Sequence, residues 1–263
     1  MTRLPSLYVS HGSPMTALQP GATGARLAEL AATLPRPRAI VVASAHYLAR
    51  SPRVGGAAQP ETVHDFGGFP PALYQLRYPA PGDPALADEI AQRLEDAGLP
   101  AAVDASRGLD HGVWVPLRLM YPAADIPVVP LSIEPHGGPA HQLAVGRALA
   151  PLREDGVLVI GSGSITHNLH DLAAGYGAER EAPYVQPFIR WIEQRLTEGD
   201  TAALLDYRRQ APFAERAHPT DEHLLPLFVA LGAAGEGARA QRLDAGIDLG
   251  ILAMDIYRFD AAA

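Results

Sequence analysis

The chain has 263 residues, 48% of them hydrophobic, with a formal net charge of −8 and no cysteine. Its length supports one large core or two small ones, its acidity argues against a nucleic-acid surface, and the lack of thiols excludes disulfides and thiolate metal sites. No apolar run approaches the roughly 18 to 20 residues of a membrane helix, and Met1-Thr2-Arg3-Leu4-Pro5 leads into no signal-peptide stretch, so a cytoplasmic protein without membrane contact is expected.

Taken in chain order, the first predicted element is the short apolar strand Leu7-Tyr8-Val9. A helical pattern at 25–34 and a second strand at 39–43 follow. Residues 51–83 break this rhythm with Gly67-Gly68 and the prolines Pro70, Pro71, Pro79 and Pro81; long loops of this kind are often functional. A helix at 84–97, a strand at 127–133 and a helix at 140–152 come next. The turn Asp155-Gly156 leads back into a strand at 157–160, and a helix at 184–197 completes the pattern. None of the four strands alternates with period two, as expected where both faces of a sheet are covered. Strands alternating with helices predict an α/β fold: one domain over 1–263 with a central, mostly parallel sheet flanked by helices.

Ten histidines stand out in a chain without cysteine, since a transition metal here would find imidazole as its soft ligand. His11 follows the first strand directly, His46 comes just after the second, and His167 follows the fourth across Gly161-Ser162-Gly163-Ser164. Parallel strands would bring these three to one rim, the carboxyl edge at which open α/β sheets bind ligands. A single histidine in such a place is ordinarily a loop or core residue, but three together point to a metal site at the strand carboxyl ends. The serine- and glycine-rich approach to His167 suggests a side chain free to reorient.

Further along, His223 lies in His218-Pro219-Thr220-Asp221-Glu222-His223-Leu224-Leu225-Pro226, where Thr220 or Asp221 is a candidate helix cap and Pro226 a complication. His218 and Glu222 compete with it for the same role. His111, beside Asp110 at the head of an apolar stretch, either is structural or lines a pocket; adjacent residues do not readily form a dyad. His64 sits in the long loop beside aromatic residues. His136, His141, His170 and His218 read as surface or capping residues.

Together, several segments resemble the DOPA 4,5-dioxygenase branch of the class III extradiol ring-cleavage dioxygenases. They are His11-Gly12-Ser13-Pro14, Ser44-Ala45-His46, His64-Asp65-Phe66-Gly67-Gly68-Phe69-Pro70, Leu109-Asp110-His111-Gly112, Ser162-Gly163 with His167-Asn168-Leu169, and Pro219-Thr220 with Glu222-His223 and Pro226-Leu227. Each piece is weak alone; their order over residues 6–227 is specific.

The resemblance implies an enzyme that opens the ring of a catechol such as DOPA with O2. It implies that His11, His46, His167 and His223 cluster around one metal. His223 stands where the wider class has a glutamate, so three neutral imidazoles would leave a 2+ ion uncompensated and favour an anionic ligand. Fe(2+) is the implied working metal, because zinc has no redox chemistry, whereas Zn(2+) is the expected occupant after aerobic purification. On this reading His11, His46 and His223 are the ligands, and His167 is the acid–base group and a fourth ligand for zinc. His111 would steady the oxygens of catechol or reduced dioxygen, with His64, Ser13 and Asn168 as substrate contacts. Two rivals remain: a zinc-dependent hydrolase, disfavoured by the lack of a His-Glu-x-x-His helix, and a non-catalytic metal-binding protein on the same fold. The physiological catechol, the bond cleaved and the oligomeric state are not legible in the sequence.

Overall fold

The computed structural model describes residues 3–177 and 180–262. Among them ten strands occur in chain order: β1 (Ser6–Ser10), β2 (Ala39–Leu48), β3 (Arg53–Gly55), β4 (Ala102–Asp104), β5 (Val128–Ile133), β6 (Val157–Gly163), β7 (Arg239–Leu243), β8 (Ile247–Asp248), β9 (Leu252–Ala253) and β10 (Ile256–Asp260). Eight form one sheet in the order β4-β3-β5-β2-β6-β1-β10-β7, while β8 and β9 pair separately. The four predicted strands are its parallel centre, β5-β2-β6-β1. The flanks bring in antiparallel pairs, β1 with β10, β10 with β7, and β3 with β5. These flanking strands carried no readable sequence signal: β3 and β4 have three residues each, and β7 mixes Arg239, Gln241 and Arg242 with apolar neighbours.

Six helices have ten or more residues: α1 (Gly21–Thr33), α2 (Pro84–Asp96), α3 (His111–Met120), α4 (Gly138–Leu149), α5 (Val185–Glu198) and α6 (Leu225–Ala234). Successive residues of the central strands point alternately into two cores. Ile40 and Val42 join Leu7, Val9, Leu158 and Ile160 against α1 and α3. Val41 and Ala43 join Val129, Leu131 and Val159 against α2, α4, α5 and α6. Both faces of the sheet are therefore covered, which is why these strands read as unbroken apolar runs. No helix among the described residues is long and apolar enough to cross a membrane.

Helix α3 was not expected, and α6 begins a few residues later than a helix capped by Thr220 or Asp221 would. In α3 a proline, Pro116, stands inside the helix. In α6 nine of ten residues are buried, so no polar face marks it as a helix. Pro226 is no obstacle, because α6 begins at Leu225 and the proline occupies the first turn, where its missing N–H costs nothing. The other end of α6 is held by the buried Arg153, whose guanidinium donates to the carbonyls of Ala233, Ala234 and Leu4. A cation there complements the helix dipole.

Candidate metal centre

Register determines where the rim residues fall. Ser10 is level with Gly163 across β1 and β6, and Ser44 with Ser162 across β2 and β6. Val9 also pairs with Ser162, so Ser10 stands one row above Ser44. His11, one residue past Ser10, and His46, two past Ser44, therefore reach the same row; contrary to expectation, His46 is still within β2, which continues to Leu48 past a register shift. Their Nε2 atoms are 3.0 Å apart, and His46 Nε2 is 3.3 Å from His223 Nε2. Two nitrogens bound to one first-row metal at about 2.0–2.1 Å lie about 2.8–3.4 Å apart at octahedral to tetrahedral angles, so these separations suit a shared ion, and the ligand atoms of all three imidazoles group together.

Their outward nitrogens are also fixed. Pro116 has no N–H to offer the carbonyl of Gly112, four residues back. The Ser162 hydroxyl donates to that carbonyl instead. Having spent its proton, Ser162 Oγ accepts from His11 Nδ1 at 3.0 Å, which leaves the lone pair of His11 on Nε2, facing His46. His223 turns its Nδ1 to Glu222 Oε1 at 3.3 Å, and His46 turns its Nδ1 to Asp65 Oδ2 at 3.6 Å. Partners of this kind on the outer nitrogen are the usual supports of metal-binding histidines.

His223 sits in a hydrogen-bonded turn, in which the Asp221 carbonyl accepts from Leu224 N at 2.9 Å and Leu225 N at 3.1 Å. It precedes α6, whose flanking residue Leu224 makes no side-chain cap, and neither Thr220 nor Asp221 caps the helix. Close packing puts it in place. A Cβ at Gly163 would strike the His223 carbonyl, and one at Gly161 would strike that of Pro226. The same His223 carbonyl accepts from Ser164 N at 2.9 Å and Tyr8 Oη at 3.0 Å. The glycines before His167 thus allow β6 to touch the start of α6 and the chain that leads into it. Its ring lies flat on that of His223, with centroids 3.4 Å apart, and its ligand atoms group with those of Glu222 and His223, not with His11 and His46.

His111 is the first residue of α3, and its partner is not Asp110 but Asp65, from the long loop. Asp65 accepts from His111 N at 2.9 Å and from His111 Nδ1 at 3.0 Å, capping the helix and fixing the ring with its Nε2 unprotonated. Asp110 turns away to Ser44 and Arg107. Sequence reasoning quoted Asp65 only as part of a motif and gave it no role, since 46 positions separate it from His111.

The other expected site residues are placed differently. His64 bonds the Leu76 carbonyl at 3.1 Å and packs with Phe66, Tyr74 and Trp114; Phe66 in turn borders His111, so this aromatic group adjoins the site. Ser13 accepts from Met15 N at the start of a 3-10 turn. Asn168 is buried, with its amide on the Arg216 carbonyl and its oxygen accepting from His170 N. The polar groups of Ser13 and Asn168 thus serve the scaffold. His218 is a clear correction: it is fully buried, 2.8 Å from the Ile165 carbonyl and packed on Phe188.

Burial depresses the affinity of these imidazoles for protons. His46 is lowered to about 3, chiefly by desolvation and then by His111, and His167 to about 4 by desolvation. His11 and His223 lie well below the ordinary value for the same reason, reinforced by their neighbours. At neutral pH all four are uncharged lone-pair donors. Burial raises the Asp65 carboxyl, but its contacts with His111 outweigh this and hold it at about 2, an anion.

An α/β sheet with neutral imidazoles converging at its carboxyl rim, where such sheets bind ligands, defines a protein with a site able to hold a metal ion. Residues 4–245 match the family described as the catalytic LigB subunit of aromatic ring-opening dioxygenase. The chain belongs to this family and is an extradiol ring-cleaving dioxygenase, for which the family implies a catalytic metal. It is 41% identical to a 4,5-DOPA dioxygenase extradiol of Beta vulgaris, over 97% of this chain and 96% of that protein. It is 40% identical to one of Escherichia coli (strain K12), over 96% and 93%. A crystal structure of an uncharacterized protein from Escherichia coli K12 superposes with a TM-score of 0.75 at 32% identity, covering 97% of this chain and 99% of the other.

Proposed function

We propose that the chain opens the ring of DOPA or a closely related catechol with O2, using Fe(II) held by His11, His46 and His223. The convergence of the three Nε2 atoms, 3.0 and 3.3 Å apart, carries this reading. The relatives named as 4,5-DOPA dioxygenases, matched over nearly their whole length, supply the substrate class. Iron, when bound, supplies the electron relay to dioxygen that zinc lacks, while zinc is the expected occupant after aerobic purification.

The protein's own residues manage protons and orientation. His167, neutral at pH 7, accepts a catechol hydroxyl proton on its imidazole and later returns it to the opened product. His111 presents Nε2 as an acceptor to the substrate oxygens, because Asp65 occupies its Nδ1. Phe66, 5.7 Å from the His111 ring, offers an aromatic edge for the substrate ring, with His64 behind it.

Anaerobic loading with Fe(II), followed by an oxygen-electrode assay over a panel of catechols, tests the proposal. DOPA should consume one O2 per molecule and give a yellow ring-opened product, and zinc-loaded protein should do neither. Iron-loaded protein that consumes no oxygen with any catechol would overturn the substrate and metal assignment.

A further inference from the structure

Three imidazoles carry no charge, so a divalent ion among them would keep its full charge unless something nearby offsets it. Among the described residues the outward nitrogens of the three rings meet different partners. His11 Nδ1 meets the neutral hydroxyl of Ser162 at 3.0 Å. His46 Nδ1 faces Asp65 Oδ2 at 3.6 Å, and His223 Nδ1 faces Glu222 Oε1 at 3.3 Å. We infer that Asp65 and Glu222 are the counter-charges of the metal centre, positioning residues that act through His46 and His223 and offset the 2+ ion from one shell out. The inference rests on the reading that His11, His46 and His223 hold the metal.

Both carboxylates are held without help from an ion. Asp65 takes two hydrogen bonds from His111, and Glu222 accepts from Thr220 Oγ1 at 2.9 Å. Both lie behind the rings, against Nδ1, and not on the Nε2 side where a ligand would bind. The division between charged and neutral partners follows the depth of the partners themselves. Ser162 is fully buried, and an anion in its place would be stranded away from water. The Asp65 and Glu222 side chains keep 23% and 21% of their surface in solvent, which limits the cost of holding charge there. A centre neutralised in this way no longer demands an anionic ligand as strongly as three unsupported imidazoles would.

Zinc titrated into the metal-stripped full-length chain against a chromophoric chelator tests this. Asp65→Asn and Glu222→Gln keep size but remove charge; Gln keeps the single oxygen that Thr220 and His223 address, whereas Asn keeps only one of the two oxygens that accept from His111. Each should weaken zinc about 10- to 100-fold, with the double variant near the product, while melting of the metal-free Glu222→Gln protein stays unchanged. In iron-loaded protein each variant should move the Fe(III)/Fe(II) midpoint potential to more positive values, a shift that a purely structural role would not produce. Zinc affinity and potential both at wild-type values in the two variants would overturn the inference. If Asp65→Asn fails to fold, because Asp65 also caps α3, Glu222→Gln decides alone. A wild-type chain that binds no zinc, or a His46→Ala chain that binds it as well as wild type, would bring down the metal reading and this inference with it.

Discussion

The two halves of the metal centre are built on different principles. His11 and His46 belong to the sheet: parallel pairing through Ser10–Gly163 and Ser44–Ser162 sets their height, and the residue one past Ser10 and that two past Ser44 have little freedom to be elsewhere. His223, His167 and His111 come from outside the strands and depend on long-range contacts. The His223 carbonyl rests on Gly163, His167 N donates to the Ala217 carbonyl at 2.9 Å, and His111 is tied to Asp65. The comparison teaches that strand register suffices to place two of the imidazoles, whereas the other three require packing that spans more of the chain.

Removing a strand-borne ligand should have the largest effect. His46→Ala should take zinc binding and ring opening below detection while leaving a folded protein, as shown by chelator competition alongside circular dichroism. His167→Ala comes next. It should still bind metal but lose about 100- to 10,000-fold in rate, the usual contribution of a general acid–base group. If His167→Ala lost the metal while His223→Ala retained it, the roles assigned to those two residues would be exchanged.

Gly163→Ala probes the packing half without touching any imidazole. The added Cβ meets the His223 carbonyl, so the variant should lose about 1–3 kcal/mol of stability, as overpacking generally does, and also bind zinc more weakly. Gly67→Ala, where a Cβ meets nothing within 4 Å, should stay within about 0.5 kcal/mol of wild type in urea unfolding. Equal behaviour of the two variants would remove the argument that close approach places His223.

A further effect concerns pH. Burial lowers His218 to about 3. The folded value lies below the ordinary 6.5, so the unfolded chain binds the proton more readily. The contribution of His218 to stability is thus complete above about pH 6.5 and declines as pH falls toward 3, by about 1.4 kcal/mol per pH unit. His218→Gln retains a donor for the Ile165 carbonyl but cannot titrate. Its metal-free form should lose stability less steeply than wild type between pH 6.5 and 4, by about that slope; parallel curves would contradict the assignment.

The sequence by itself determined the parallel centre of the sheet and the rim position of His11, His46 and His167, because apolar runs and the residues that end them are local features. It also marked the order of motifs that the family match bears out. Tertiary structure alone decided the rest. Pro116 hides α3 from a periodicity reading yet frees the Gly112 carbonyl that orients Ser162 and, through it, His11. Helix α6 is apolar on every side because it is buried on every side, so it has no amphipathic signature, and His218 looked like a surface residue for want of any local sign of its burial. Asp65 meets His111 across 46 positions and His46 across a loop. Such pairings are set by where the folded chain brings two carboxylates and five imidazoles together, and neighbouring residues carry no trace of that.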